Sequence, residues 1–231
     1  MSCYCRARVT KDEPLRYISH LDYAALMQRA IRRAKLPAAY SEGFNPHMKL
    51  SFASALSVGV TSEAEYMDLE LTGPVDEDEL AGRLRAALPN GVRLLGLCVT
   101  EGKPKALMAI VDEAAYEITV PLSGSVSAAQ AALDAFHAVR ECVYLRKTPK
   151  KTREIDIKQY ICGEIRAKAE GASLRLSMPV RITPKGSIKP QEVLATLCER
   201  FAFPVEAELA LVHRRALYCG GKELLAADTE G

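Results

Sequence analysis

The residues CYCRARVT near the amino terminus alternate, with Cys5, Ala7 and Val9 on one side and Tyr4, Arg6 and Arg8 on the other. A period of two predicts a half-buried strand. Beyond it, Tyr23, Leu26, Met27, Ala30, Ile31 and Ala34 recur at helical spacing, so Ser19 caps a predicted helix that Pro37 stops. Met48, Leu50 and Phe52 alternate again after the turn-forming YSEGFNPH, as do Met67, Leu69 and Leu71 before Gly73-Pro74. VDEDELAGRLRAAL predicts a second helix, whose acidic first turn suits the positive end of the helix dipole, and VRLLGLCV predicts a fourth strand.

That order, β-α-β-β-α-β, is the split βαβ pattern of a ferredoxin-like unit, an antiparallel sheet with two helices on one face. YEITVPL, the helix SAAQAALDAFHAVRE with Ser127 and Gln130 as its capping box, and CVYLR start the pattern again. The hairpin EIRAKAEGASLRLSM turning at Gly171, a helix after Pro190 and the strand VEAELALVHRRALY complete it. The fold class predicted is α+β, two tandem ferredoxin-like units with antiparallel sheets. Their predicted spans are residues 1–100 and 116–220, with a linker over 101–115 and a frayed tail over 221–231.

Of the 231 residues 48% are hydrophobic, enough for packed cores. Apolar runs are all too short to cross a membrane, and MSCYCRARV lacks the apolar stretch of a secretory signal, so a cytoplasmic protein without a membrane role is expected. Seven scattered cysteines read as reduced thiols, and of these only Cys3 and Cys5, as C-x-C, invite a metal. Neither a metal nor a cofactor is expected: the phosphate-binding glycine motifs and the hydrolase elbow are missing from the sequence.

Net charge is only +2, so a case for a polyanionic partner rests on where the cations lie. RKTPKKTRE concentrates Arg146, Lys147, Lys150, Lys151 and Arg153 around a proline, the composition of a basic loop that neutralises phosphates or simply faces water. Arg29, Arg32 and Arg33 form a short ridge on the first helix, and Asn45 and Lys49 sit beside the turn. Sheet-face base stacking is disfavoured, because Tyr4, Arg6 and Arg8 should face Tyr66, Asp68 and Glu70 and the sequence has no K/R-G-F/Y-G/A-F pattern. His20 and His47 are the candidates for acid–base catalysis. Asp22 with both histidines lacks a metal-ligand spacing and reads better as part of a helix start.

The segment PLRYISHLDYAALMQRAIRRAKLPAAYSEGFNPHMKLSFASALSVGVTSEAEYMDLEL (residues 14–71) resembles the radical-SAM-associated domain of unknown function. The resemblance continues through KPKALMAIVDEAAYEI and RKTPKKTREIDIKQYI. It implies a stand-alone partner of a cobalamin-binding radical SAM protein in an RNA-related setting. The chain has no C-x-x-x-C-x-x-C run to hold a radical SAM cluster, so the radical chemistry would belong to the partner. Three functions follow as expectations: a non-catalytic accessory that binds RNA or presents an RNA substrate, an endoribonuclease using His20, and a module that binds only protein.

Overall fold

Alternation at the amino terminus becomes strand β1 (Cys3–Lys11) in the computed structural model, which describes residues 3–148 and 151–225. The chain is a mixed α+β protein that divides into two compact units. One runs to Val111 and resumes at Ala216; the other is Asp112–Arg215.

In the first unit, β1 is followed by α1 (His20–Arg33), β2 (Leu50–Phe52), β3 (Val60–Leu71), α2 (Glu77–Ala87) and β4 (Leu94–Glu101). β1 pairs antiparallel with both β3 and β4, and β2 pairs antiparallel with the end of β3. The Ser19 side chain accepts a hydrogen bond from the Asp22 amide, and Asp76 does the same for Glu79, so both helices start where orphan amides find an acceptor. Tyr23, Met27 and Ile31 of α1, with Leu80 and Leu84 of α2, are buried in one cluster with Cys5, Ala7 and Val9. Each large apolar side chain in it contributes roughly 1.5–3 kcal/mol by leaving water.

The opposite side of β1 is polar, in the register the alternation implies: Tyr4 against Glu70, Arg6 against Asp68, Arg8 against Tyr66. Arg6 grips Asp68 through Nε at 2.7 Å and Nη2 at 2.9 Å, and Nη2 also donates to the Lys105 carbonyl at 3.0 Å. That carbonyl belongs to the segment expected as a linker. Residues 101–110 instead stay with the first unit, where the short helix α3 (Leu107–Ile110) packs on β2 and β3 and buries Leu107. A sheet whose second face carries a buried ion pair needs this cover, because an exposed pair is weakened by water.

The second unit opens with β5 (Glu113–Pro121), α4 (Val126–Ala138), β6 (Val143–Thr148), β7 (Lys151–Asp156), β8 (Arg166–Glu170), β9 (Ser173–Arg181) and α5 (Pro190–Phe201). β9 lies between β5 and β8 in an antiparallel sheet. Along β9, Leu174, Leu176, Met178 and Val180 are fully buried while Arg175, Ser177 and Arg181 are exposed. Leu133 and Phe136 of α4, with Val193 and Leu197 of α5, are buried as well, and α4 packs against α5 and β8.

Four details depart from the sequence pattern. CVYLR does not enter the main sheet; it forms β6, whose antiparallel partner is β7, in a two-stranded sheet of its own. α4 is capped by Ser125, whose hydroxyl takes the Ala128 amide, two residues before the serine expected. The last long strand, β10 (Leu211–Cys219), starts later than expected, after a 3-10 turn at Ala207–Leu209. Beyond it, residues 221–225 do not fray: β11 (Lys222–Glu223) pairs back on Tyr218 and Cys219, and Leu224 is buried. Residues 226–231 lie outside the described residues.

Candidate nucleic-acid interface

The stretch YSEGFNPHMKLSFA forms a closed loop on the first unit. The Ser41 amide donates to the His47 carbonyl at 2.8 Å, the His47 amide donates to the Ser41 hydroxyl at 2.9 Å, and Gly43 takes a φ of 115° between them. Only glycine adopts that backbone easily. Met48 plugs the loop into the core, whereas Phe44, Asn45 and His47 are exposed. Lys49 then leads into β2, where its Nζ donates to Glu70 at 2.8 Å and Tyr4 Oη donates to the same carboxylate at 3.2 Å. Bonding to Lys49 holds the Glu70 carboxyl below its ordinary range, and bonding to Glu70 raises the Lys49 ammonium. These residues line a cleft of about 410 Å³ with Ser51, Asp68 and Lys103. Its charges are largely spent on one another, so Lys49 supports the wall more than it offers a free cation.

The three arginines of α1 differ in availability. Arg33 donates to the Ala87 carbonyl at the end of α2, a structural tie between the helices. Arg32 reaches the Tyr40 hydroxyl at 3.5 Å, and Arg29 is exposed with no bonded partner among the described residues. His20 is the first residue of α1 and meets Phe52 edge-on at 5.4 Å; Asp22 accepts the Ser19 hydroxyl. Among the described residues, neither His20 nor His47 has a side-chain hydrogen-bond partner to orient its ring. Cys3 and Cys5 are core residues, burial pushes the Cys5 thiol well up, and the described residues contain no cluster of metal-binding side chains.

Among the described residues the RKTPKKTRE segment is paired strand, β6 against β7, rather than loop. Arg146 is pinned, with Nε and Nη2 on Glu192 at 2.7 and 2.5 Å and Nη2 on the Ser187 carbonyl at 3.0 Å. Pairing with Glu192 raises its already high pKa. Lys147 and Arg153 are exposed and have no ion-pair partner among the described residues. Lys150 lies outside the described residues, and Lys151 is described in its backbone only. The arginine ridge belongs to the first unit and the hairpin to the second.

A further set of cations lies on the sheet of the second unit. Arg166 and Lys168 of β8 and Arg175 of β9, with Arg215, line a cleft of about 540 Å³ on the sheet face opposite the buried leucines. At the other end of β9, Tyr160, Arg181 and Lys185 line a second cleft, of about 490 Å³. The signal for this set is present in RAKAEGASLRL, where cations take the positions left polar by the alternation.

Compared with known proteins, residues 5–190 match a family described as an uncharacterized protein conserved in bacteria (DUF2344). The chain belongs to that family. The matched span contains the 40–49 loop, β6 and β7, and the linings of the three clefts except Tyr4 and Arg215. No curated protein matches. A crystal structure of an unknown protein from Galdieria sulphuraria aligns over 93% of this chain and 99% of that one, at 12% identity and a TM-score of 0.26, too low to support structural inference. Among the described residues no helix is long and apolar enough to cross a membrane.

Proposed function

We propose that this protein is a cytoplasmic, non-catalytic accessory of a radical SAM enzyme that binds RNA or presents an RNA substrate, and that it is built from two tandem ferredoxin-like units. The observation that carries the RNA part is the pair Lys147 and Arg153, exposed on a hairpin of its own and free of carboxylates among the described residues. Cations in that state keep a counterion atmosphere that a phosphate backbone releases on docking. The fold part is supported by the element order of both units, with the β6–β7 hairpin as an insertion in the second. The radical SAM part rests on the resemblance of residues 14–71.

The test is to incubate the purified chain with labelled cellular RNA and follow both retention and length. RNA that is retained intact, with retention reduced about fivefold in Lys147→Ala/Arg153→Ala by loss of two phosphate contacts, is the expected result. Cleavage abolished by His20→Ala would make the protein a nuclease instead. Co-purification with the radical SAM protein in the absence of any RNA affinity would leave only a protein-interaction module.

A further inference from the structure

Alternation in β8 and β9 places apolar residues on the helix side and polar ones on the other, and the polar ones are mostly cations. Lys168 lies directly across from Arg175, and Arg166 from Ser177. Continuing along β9, Arg181 holds the same side, with Tyr160 bonded to its amide through the backbone at 2.7 Å. From Arg175 to Arg181 is six residues, about 20 Å of strand. Both clefts therefore open on one face of one unit. The hairpin comes close to the second of them, since Arg146 bonds the carbonyl of Ser187, two residues beyond Lys185.

Carboxylates on this face temper the charge. Glu117 and Glu170 touch Arg175 at 3.7 and 2.7 Å, Glu164 touches Arg166 at 2.9 Å, and Glu113 stands across from Arg181. Six cations (Arg166, Lys168, Arg175, Arg181, Lys185, Arg215) thus meet four carboxylates. Lys168 and Lys185 are exposed and have no bonded partner among the described residues. Exposed ion pairs of this kind are worth little, so a phosphate competes for the arginines as well.

From this face we infer that the second unit binds single-stranded RNA along β9, its backbone on Lys168, Arg175 and Lys185 and a base against the Tyr160 ring. The inference rests on the RNA-binding reading and gives it a site. An acidic protein partner fits less well, because apart from the half-buried Tyr116 the open positions of β5, β8 and β9 offer Ala115, Glu117, Thr119 and Ser177, with no exposed large aliphatic anchor. A duplex fits less well too, since it hides the base faces that Tyr160 would meet. One ring and several cations predict binding that is salt-sensitive and nearly indifferent to sequence.

The test uses the full chain and a fluorescein-labelled oligouridine of roughly 15 nucleotides, with a duplex of equal length for comparison. Wild type should bind the single strand more tightly. Lys168→Ala/Lys185→Ala should weaken it about tenfold and lower the salt slope by about 1.4, two single-strand phosphate contacts. Tyr160→Ala should weaken binding without altering the slope. Circular dichroism melts, expected to be unchanged for the lysine variant, keep misfolding from passing as a positive result. Tight wild-type binding that the lysine variant leaves intact overturns the site but not the RNA reading. Equal affinity for the duplex overturns the single-strand assignment. A wild type that binds no RNA overturns both the site and the reading.

Discussion

Arg6 and Asp68 form a bidentate pair with side chains only 2% and 9% exposed, so each depends on the other for its solvation. Asp68→Ala leaves a buried guanidinium with the Lys105 carbonyl but without its carboxylate, and should cost about 3–5 kcal/mol in urea unfolding. A loss under 1 kcal/mol would mean water replaces the carboxylate at about the cost of a surface pair. His137 makes a pH-dependent counterpart. Its Nε2 accepts the Ile165 amide at 3.1 Å, and desolvation, then the nearby Lys158 ammonium, lower its pKa below the ordinary value of 6.5. Below pH 6.5 the unfolded chain therefore takes up the proton first, so stability falls as pH drops from that value toward the folded pKa. Thermal melts from pH 7 to about 5 should show this fall, and His137→Gln should reduce it. The choice of Ser125 over Ser127 as a cap was not legible at this scale. Two serines of the same chemistry flank the helix start, and only the path of the chain decides which hydroxyl reaches an amide; Gln130, freed from a capping box, bonds Asp134.

Elements were legible wherever burial on one side enforces a period. β1, β3, α1 and α2 stand close to where their apolar positions predict them, and the pairing of Arg6 with Asp68 follows from register alone. Sheet membership is a different matter, because its hydrogen bonds join residues far apart in sequence. Neither VYLRKT nor KTREID alternates, and nothing local reveals that they pair with each other and leave the main sheet to β8. The cations of β8 and β9 were legible but diffuse: spaced two apart, they form no charge run. Turns carry their own prediction. Gly91, in the PNG turn before β4, has a φ of 85°, and an added Cβ would sit 2.9 Å from Leu15 Cγ. Gly91→Ala should destabilise the first unit by about 1–2 kcal/mol from backbone strain alone. Gly73→Ala, which meets no atom within 4 Å and has no positive φ, is the matched control and should change stability little.

At the scale of the whole molecule, a net charge of +2 conceals an uneven distribution. In the first unit many cations serve structure: Arg6 on Asp68, Arg16 on Glu13, Lys49 on Glu70, Arg93 on Asp12. In the second unit Lys147, Arg153, Lys168 and Lys185 are exposed and unpaired among the described residues. On the proposed function, polyanion binding falls to the second unit, where exposed cations without carboxylate partners collect. The most direct measurement is fluorescence anisotropy of a labelled single-stranded RNA with the full chain, repeated from about 50 to 200 mM salt. Five phosphate contacts, at Lys147, Arg153, Lys168, Arg175 and Lys185, predict a straight fall of log affinity against log salt with a slope of about −3.5. An affinity that does not change with salt would contradict the account.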